Sequence, residues 1–301
     1  MLIVNNLVKK FNFVAAVDGL TFTVNPGKIF GLLGPNGAGK TTTIRAILNI
    51  IKPTSGEIIF DGKPITYEYY NTIGYLPEER GLYKKSKVID VLTYFGSLKN
   101  LKRSDAINSA NSWLKKLNII EYRDKKIEQL SKGNQQKVQL IAAIIHNPKL
   151  LILDEPFTGF DPINQQEVKD LILSFVSEGK TIILSTHLMD LAERLCEDIL
   201  LIDKGKPVCS GRLSDIKKDF GGNNIRVGFA ISGIISQNQF PEISKIDSYN
   251  NYSDIQLKDE VIPSEFLKKL IEKFEVNHFS VIEPSLNKIY IDLIDKEKKR
   301  Q

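Results

Sequence analysis

The sequence predicts an α/β protein whose parallel sheet carries a glycine-rich loop, followed by a small α+β domain. Three observations carry that expectation. Short apolar runs such as Leu150 to Leu153 and Thr181 to Leu184 suit strands buried on both faces, and helical patterns separate them. A glycine-rich turn, Gly34 to Thr42, follows another such run, Ile29 to Leu33, and opens a helix. Beyond about residue 213 the alternation gives way to short strands and an amphipathic helix.

In chain order, Leu2 to Val4 and Leu20 to Val24 read as strands of a small β-layer, with Lys9 to Phe13 between them. Asn25-Pro26-Gly27 turns the chain into the strand before the glycine-rich loop. The helix after the loop should run from Thr42 to Ile50 and stop before Pro53 to Gly56; Glu57 to Gly62 is a strand and turn. From Val88 to about Glu128 the pattern is helical and polar, with Ile107, Trp113, Leu114, Leu117 and Ile120 near helical spacing. Ser131 is placed to cap a further helix whose Val138, Ile141, Ala142 and Ile145 share one face. Helices from Asn164 to Glu178 and Leu188 to Leu195 flank the Thr181 strand, and Ile199 to Gly205 is another strand and turn. A short helix, Ser214 to Asp219, precedes an expected linker, Gly221 to Asn224. Strands near Ile225 to Ile231, Asp254 to Leu257 and Phe279 to Ile282, a helix from Pro263 to Phe274 and a last segment, Ser285 to Asp295, make up the appendage.

Composition bounds the class. The 301 residues, 42% hydrophobic and 26% charged, are those of a globular chain with ample core. No run reaches the ~18 apolar residues of a membrane span. Met1 to Asn5 has neither a basic region nor a long apolar core, so no secretory signal is expected. Two cysteines, Cys196 and Cys209, give no disulfide framework, which fits a reducing cytoplasm. The net charge of +5 is modest; Lys84-Lys85, Lys125-Lys126 and the Lys298-Lys299-Arg300 tail read as solvated faces, and no nucleic-acid partner is expected.

The chemistry gathers at strand ends. In Gly34-Pro35-Asn36-Gly37-Ala38-Gly39-Lys40-Thr41-Thr42 the glycines let backbone N–H groups point inward, and the helix start adds partial positive charge. Lys40 is placed to reach the β- and γ-phosphates of a nucleoside triphosphate, and the Thr41 hydroxyl to ligate Mg²⁺. Asp154 and Glu155 end an apolar strand, where open α/β sheets hold ligands. Asp154 suits the Mg²⁺ site, and Glu155 suits a general base for the attacking water. His187 follows another strand end and can hydrogen-bond the γ-phosphate and hold the water in line with Glu155. His146, before Asn147-Pro148, is read as a helix C-terminal residue favoured by the dipole, and His278 as a surface or partly packed histidine.

The order of these motifs, with Leu130-Ser131-Lys132-Gly133-Asn134-Gln135-Gln136 and Thr158-Gly159-Phe160-Asp161 between them, resembles the ATP-binding cassette (ABC) family over about Met1 to Arg212. The resemblance implies a P-loop NTPase cassette: a RecA-like parallel core, an antiparallel β subdomain and a helical subdomain at about 84–148. The cassette would span 1–213 and an α+β accessory domain 214–301. By that resemblance Gly34 to Thr42 are the Walker A loop, Asp154 and Glu155 the Walker B end, and Phe11 the aromatic stacked on adenine. Ser131 and Gly133 would contact the γ-phosphate held by a second cassette, Asp161 would lie in the turn crossing the dimer interface, and His187 would be the switch histidine. Four positions depart from the family pattern: Lys132 and Asn134 replace a glycine and the glutamine of Leu-Ser-Gly-Gly-Gln, Glu78 stands where glutamine is usual near Mg²⁺, and Phe160 replaces leucine. Leu76 to Tyr83 and Leu130 to Lys137 resemble one efflux branch, similar to sodium exporters.

The resemblance therefore implies an ATPase subunit that binds ATP and Mg²⁺, pairs with a second cassette, sits peripherally on the inner face of the cell membrane and drives separate permease subunits. A soluble ABC ATPase acting on ribosomes is the alternative; such proteins usually carry tandem cassettes, and this chain has one. A chromosome-maintenance ATPase would need a long heptad coiled coil that the sequence lacks.

Overall fold

The computed structural model describes the chain apart from residues 80, 222, 230–234, 236–238, 259 and 299–301, and the side chains of 67, 68 and 296–298. Two compact units are present, Met1–Gly211 and Arg212–Gln301.

The first unit opens with an antiparallel hairpin, β1 (Leu2–Phe11) and β2 (Val14–Val24). The strand expected at Leu2 to Val4 thus runs on to Phe11. Register shifts after Val4 and Lys9, with Asn6 at φ 44, interrupt the alternation that would reveal its full length. All of β3 (Ile29–Leu33) is buried, and α1 (Lys40–Ile47) follows the glycine-rich loop. This helix ends before the expected Ile50 because Asn49 takes a left-handed φ of 51. With β4 (Ser55–Phe60) and β5 (Lys63–Pro64) the hairpin makes a sheet in the order β2-β1-β4-β5. A 3₁₀ turn at Tyr67–Thr72 then leads to β6 (Ile73–Leu76).

Three helices interrupt the alternation: α2 (Val88–Leu98), α3 (Arg103–Lys116) and α4 (Lys132–Ile144). The buried stripe of α3 is Ala106, Ala110 and Leu114, whereas Ile107 and Trp113, expected to share it, are partly exposed. Small residues win this face because the backbones approach closely; a Cβ on Gly96 would lie 2.8 Å from that of Ala106. Nor does α4 bury only one face: from Gln136 onward all but Ala142 is buried, polar residues included.

The remaining elements are β7 (Leu150–Asp154), α5 (Pro162–Ser177), β8 (Thr181–Thr186), α6 (Met189–Leu195), β9 (Asp198–Asp203) and β10 (Lys206–Arg212). They complete a six-stranded sheet, β10-β9-β3-β8-β7-β6, in which β3, β6, β7, β8 and β9 pair in parallel. The right-handed crossovers of such a sheet bring the C-terminal ends of β3, β7 and β8 to one edge. His146, just past α4, is held differently from expectation. Burial pushes its pKa down to about 4, and the neutral ring meets the Ile73 carbonyl at 3.1 Å through Nε2, so no charge serves the helix dipole.

The second unit has its own core of Ile225, Val227, Ile255, Leu257, Phe266 and Leu270. Its elements are α7 (Leu213–Asp219), β11 (Asn223–Phe229), β12 (Ile243–Ser248), β13 (Tyr252–Leu257), α8 (Pro263–Ile271), β14 (Val276–Val281) and α9 (Leu286–Lys298). The antiparallel order is β12-β13-β11-β14. Asn223 and Asn224, expected in a linker, instead begin β11; Gly222 of that linker and Ile231, the expected strand end, lie outside the described residues, as do Arg80 and the basic tail from Lys299. Strand β12 gives little sequence signal because only Ile243 of its six residues is buried. Among the described residues no helix is long and apolar enough to cross a membrane.

Candidate nucleotide site

The loop between β3 and α1 is shaped by glycines, two of which nothing larger could replace in place. Gly39 caps α1 at φ 107, and a Cβ there would lie 2.4 Å from the Ala16 carbonyl oxygen; one on Gly34 would lie 2.2 Å from that of Ile202. Asn36 and Gly37 form the exposed crown of the loop, Pro35 and Gly39 are half-buried, and Ala38 packs into the core. Lys40 is buried, its Nζ donating to the Gly34 carbonyl at 2.7 Å and the Pro35 carbonyl at 3.1 Å. Thr41 and Thr42 are half-buried in the first turn of α1.

Three strand ends converge on this loop. Asp154, the last residue of β7, is fully buried and accepts from Thr41 Oγ1 at 3.0 Å and Ser185 Oγ at 2.7 Å. Burial pushes its pKa up, against the pull of those two hydroxyls. Thr41 and Asp154 thus present two hard oxygens side by side, and a buried carboxylate with an upward-shifted pKa gains from a cation. They fit magnesium in the way phosphate-binding enzymes use it, with substrate oxygens and water completing the shell. Among the described residues no group of three His, Cys, Asp or Glu could hold a metal by itself.

Glu155 sits one residue on, at a left-handed φ of 49 that costs a non-glycine residue roughly 1–2 kcal/mol. A dense set of contacts holds it there. Its backbone N–H donates to the Ser185 carbonyl at 2.9 Å. Its carboxylate accepts from Thr186 Oγ1 at 2.9 Å and from the His187 N–H at 2.9 Å, and meets His187 Nδ1 at 2.7 Å. Lys40 Nζ stands 3.7 Å away. Lys40, Thr41, Asp154, Glu155 and His187 are therefore gathered into one cluster. Ser185 and Thr186 were not singled out from the sequence; two hydroxyl residues directly before a strand-end histidine were the available signal.

The other expected residues lie elsewhere. Phe11 is half exposed at the β1–β2 hairpin, with Lys9 Nζ 4.9 Å from its ring centroid, while Phe13 beside it is wholly exposed. Glu78 is exposed just beyond β6, with no hydrogen bond or ion pair among the described residues. A second cluster forms at two helix starts. Ser131 caps α4, accepting from the Asn134 N–H at 3.2 Å, and Gly133 faces the Phe160 ring. Asp161 caps α5, accepting from the Asn164 backbone and side chain at 2.9 and 2.7 Å; these bonds hold its pKa below the usual carboxylate range.

This chain is 41% identical over 302 residues to the ABC transporter ATP-binding protein YhaQ of Bacillus subtilis (strain 168), itself uncharacterized, with 98% of each chain covered. The chain belongs to the ABC transporter ATP-binding proteins. The ABC transporter family pattern matches residues 17–158 of this ABC protein, and that of the ATP-binding protein DrrA1-3-like C-terminal domain matches 211–294. The linearmycin resistance ATP-binding protein LnrL, also of Bacillus subtilis (strain 168), is 30% identical over 306 residues, covering 97% of this chain and 98% of the relative. A solved ATP-binding subunit of an ABC transporter superposes with a TM-score of 0.68 at 29% identity, covering 73% of this chain and 93% of that one. The ABC chain is accordingly an ATPase, with an α/β cassette and a DrrA-like C-terminal domain. Phe11, Asp161 and His187 fall outside the stretch that the ABC transporter family pattern matches.

Proposed function

We propose that the protein is the ATPase of an exporter, peripheral on the inner face of the cell membrane, where two cassettes close around two ATP and drive separate permease subunits. The cassette is taken as residues 1–213, with a helical subdomain at about 84–148, and 214–301 as an accessory domain. The observation that carries the reading is the division of the site into two halves. Lys40, Thr41, Asp154, Glu155 and His187 form one cluster, and Ser131, Gly133 and Asp161 stand at exposed or half-exposed helix starts turned to other partners. A helix start whose capping serine accepts from the Asn134 N–H but can still donate its own O–H, beside the first-turn amides of Lys132 and Gly133, suits a phosphate supplied from a second copy. Kinship with a resistance protein supports the export direction.

In this reading the amides of Gly34 to Thr42 and the Lys40 ammonium hold the β- and γ-phosphates. Glu155 orients and deprotonates the attacking water, and His187 keeps Glu155 and the γ-phosphate aligned. Thr41 and Asp154, with Glu78, are the residues that would hold magnesium, which would supply charge neutralisation at the phosphates. Lys40 Nζ is held over the loop by the Gly34 and Pro35 carbonyls, with Glu155 3.7 Å away.

The dimer is tested by cysteines at Asn36 and Ser131 of different protomers, with Cys196 and Cys209 changed to alanine. A disulfide between protomers should form with magnesium-ATP and not without it; none in either case ends the proposal. The membrane role is tested by sedimentation. The chain should pellet with membranes only when the permease subunit is co-expressed, and identical partitioning with and without it would contradict the assignment.

Two side chains carry separate expectations. Phe11→Ala should weaken ATP binding by about 1–2 kcal/mol, the worth of one stacking contact. An unchanged affinity with a loss in Phe13→Ala would move the adenine contact to the neighbouring ring. Glu78 adds negative charge beside the γ-phosphate, so Glu78→Gln should shift the Mg²⁺ dependence of the ATPase rate. Superimposable titrations of the two proteins would dismiss that role.

A further inference from the structure

Glu167 joins three segments that sequence spacing does not connect. Its Oε2 accepts from Lys137 Nζ on α4 at 2.6 Å, and its Oε1 accepts from Asn118 Nδ2 at 3.1 Å, at the turn closing α3. Lys137 also donates to the Leu117 carbonyl at 3.2 Å. Lys137 is buried, and a lysine ammonium persists in such a place only when its charge is compensated by a well-formed pair. Glu167 itself stands on α5, so this one carboxylate fastens two helices and the end of a third.

The two principal helices are those whose starts form the second half of the proposed site. Lys137 and Glu167 lie at matching depth behind the caps Ser131 and Asp161. Ahead of the ion pair the buried Phe160 ring faces Gly133 across room for no more than a methyl group, 3.7 Å from the point a Cβ there would occupy. The starts of α4 and α5 are therefore tied by the ion pair behind them. Ser131 and Asp161 cap their own helices only, so their spacing is inherited from this tie.

We infer that Glu167 is a positioning residue: with Lys137 it holds the Ser131–Gly133 helix start and the Thr158–Asp161 turn as one piece, which each protomer presents to its partner's nucleotide. The inference rests on the two-cassette reading. Without the carboxylate the Lys137 ammonium is left buried and unpaired, and α4 shifts or rotates against α5 to find water. The phosphate loop of the same protomer takes no contact from Glu167, so its own grip on ATP is untouched.

The test uses the full chain carrying Glu155→Gln, which should bind nucleotide and turn it over at least ~10²-fold more slowly. Glu167→Gln should weaken ATP-dependent dimerisation, followed by analytical ultracentrifugation, by roughly tenfold or more, the loss of a hydrogen-bonded charge pair. ATP affinity of the monomer, read at concentrations below dimerisation, should stay within about twofold. Glu167→Asp, which keeps the charge, should recover most of the dimer, a rescue that simple helix stabilisation would not give. Asn118→Ala removes one tether without stranding a charge. It should show a smaller loss of dimer in the same direction and serves if Glu167→Gln does not fold. Dimerisation unchanged in these variants, or monomer binding and dimerisation falling together, overturns the inference. Failure of the Glu155→Gln chain itself to dimerise overturns the two-cassette reading instead.

Discussion

Glu155→Gln should cut ATP turnover by at least ~10²-fold while leaving ATP binding intact, the signature of losing a positioned base. The substitution keeps the shape of the side chain and removes its charge. The His187 N–H can still donate to the amide oxygen, and the new NH2 can donate to Thr186 Oγ1, which turns to accept, so the φ of 49 at this residue remains supported and the loop should not collapse. What disappears is the basic oxygen that takes the proton from water. The pairing with His187 Nδ1 at 2.7 Å and with Lys40 at 3.7 Å weakens with it. Removing a negative charge from beside the phosphate subsite should not weaken ATP, and with hydrolysis stopped the closed dimer should accumulate. Steady-state ATPase rates, equilibrium ATP titration and size exclusion with and without magnesium-ATP measure the three parts. A variant that turns over at the parent rate, or that loses ATP affinity in proportion to rate, would remove Glu155 from the chemistry.

The sequence shows the glycine-rich loop and the strand-end carboxylates because their residues are rare together and stand in fixed order, and it loses detail where contacts decide. Gly34 to Thr42 and Asp154-Glu155 were legible because a tight turn, a lysine and a carboxylate pair at strand ends have few other uses together. Ser185 and Thr186 were not, since a hydroxyl residue in a buried strand is common and only the fold turns these two towards Asp154 and Glu155. The parallel strands were read correctly from continuous apolar runs such as Leu150 to Leu153. Strand β12 was missed because a polar edge strand leaves almost no apolar pattern, and β1 was cut short by its bulges. On α3 the residues expected inside were the large ones, but close approach to α2 favoured Ala106 and Ala110. His146 shows the same limit for charge: from sequence it belongs to a helix end, whereas burial keeps it neutral.

The second large effect concerns the shape of the phosphate loop. Gly39→Ala should weaken ATP binding by more than ~10²-fold, equivalent to about 2.7 kcal/mol. Two costs add at this position. A φ of 107 is a backbone conformation that a side chain tolerates poorly, worth roughly 1–3 kcal/mol, and the new Cβ would meet the Ala16 carbonyl oxygen at 2.4 Å. That oxygen belongs to the backbone of β2, so it cannot rotate away as a flexible side chain would. Relief has to come from the loop, which moves the first N–H groups of α1 and the root of Lys40 off the phosphates. Gly37→Ala is the control. Its φ of 79 is also left-handed, but no atom lies within 4 Å of the added Cβ, so only the conformational strain applies and the loss should stay within about tenfold. ATP titrations of both variants, with thermal unfolding to separate local distortion from general destabilisation, make the comparison. Equal losses at the two positions would mean that strain alone, and not the approach of β2, sets the geometry of the loop.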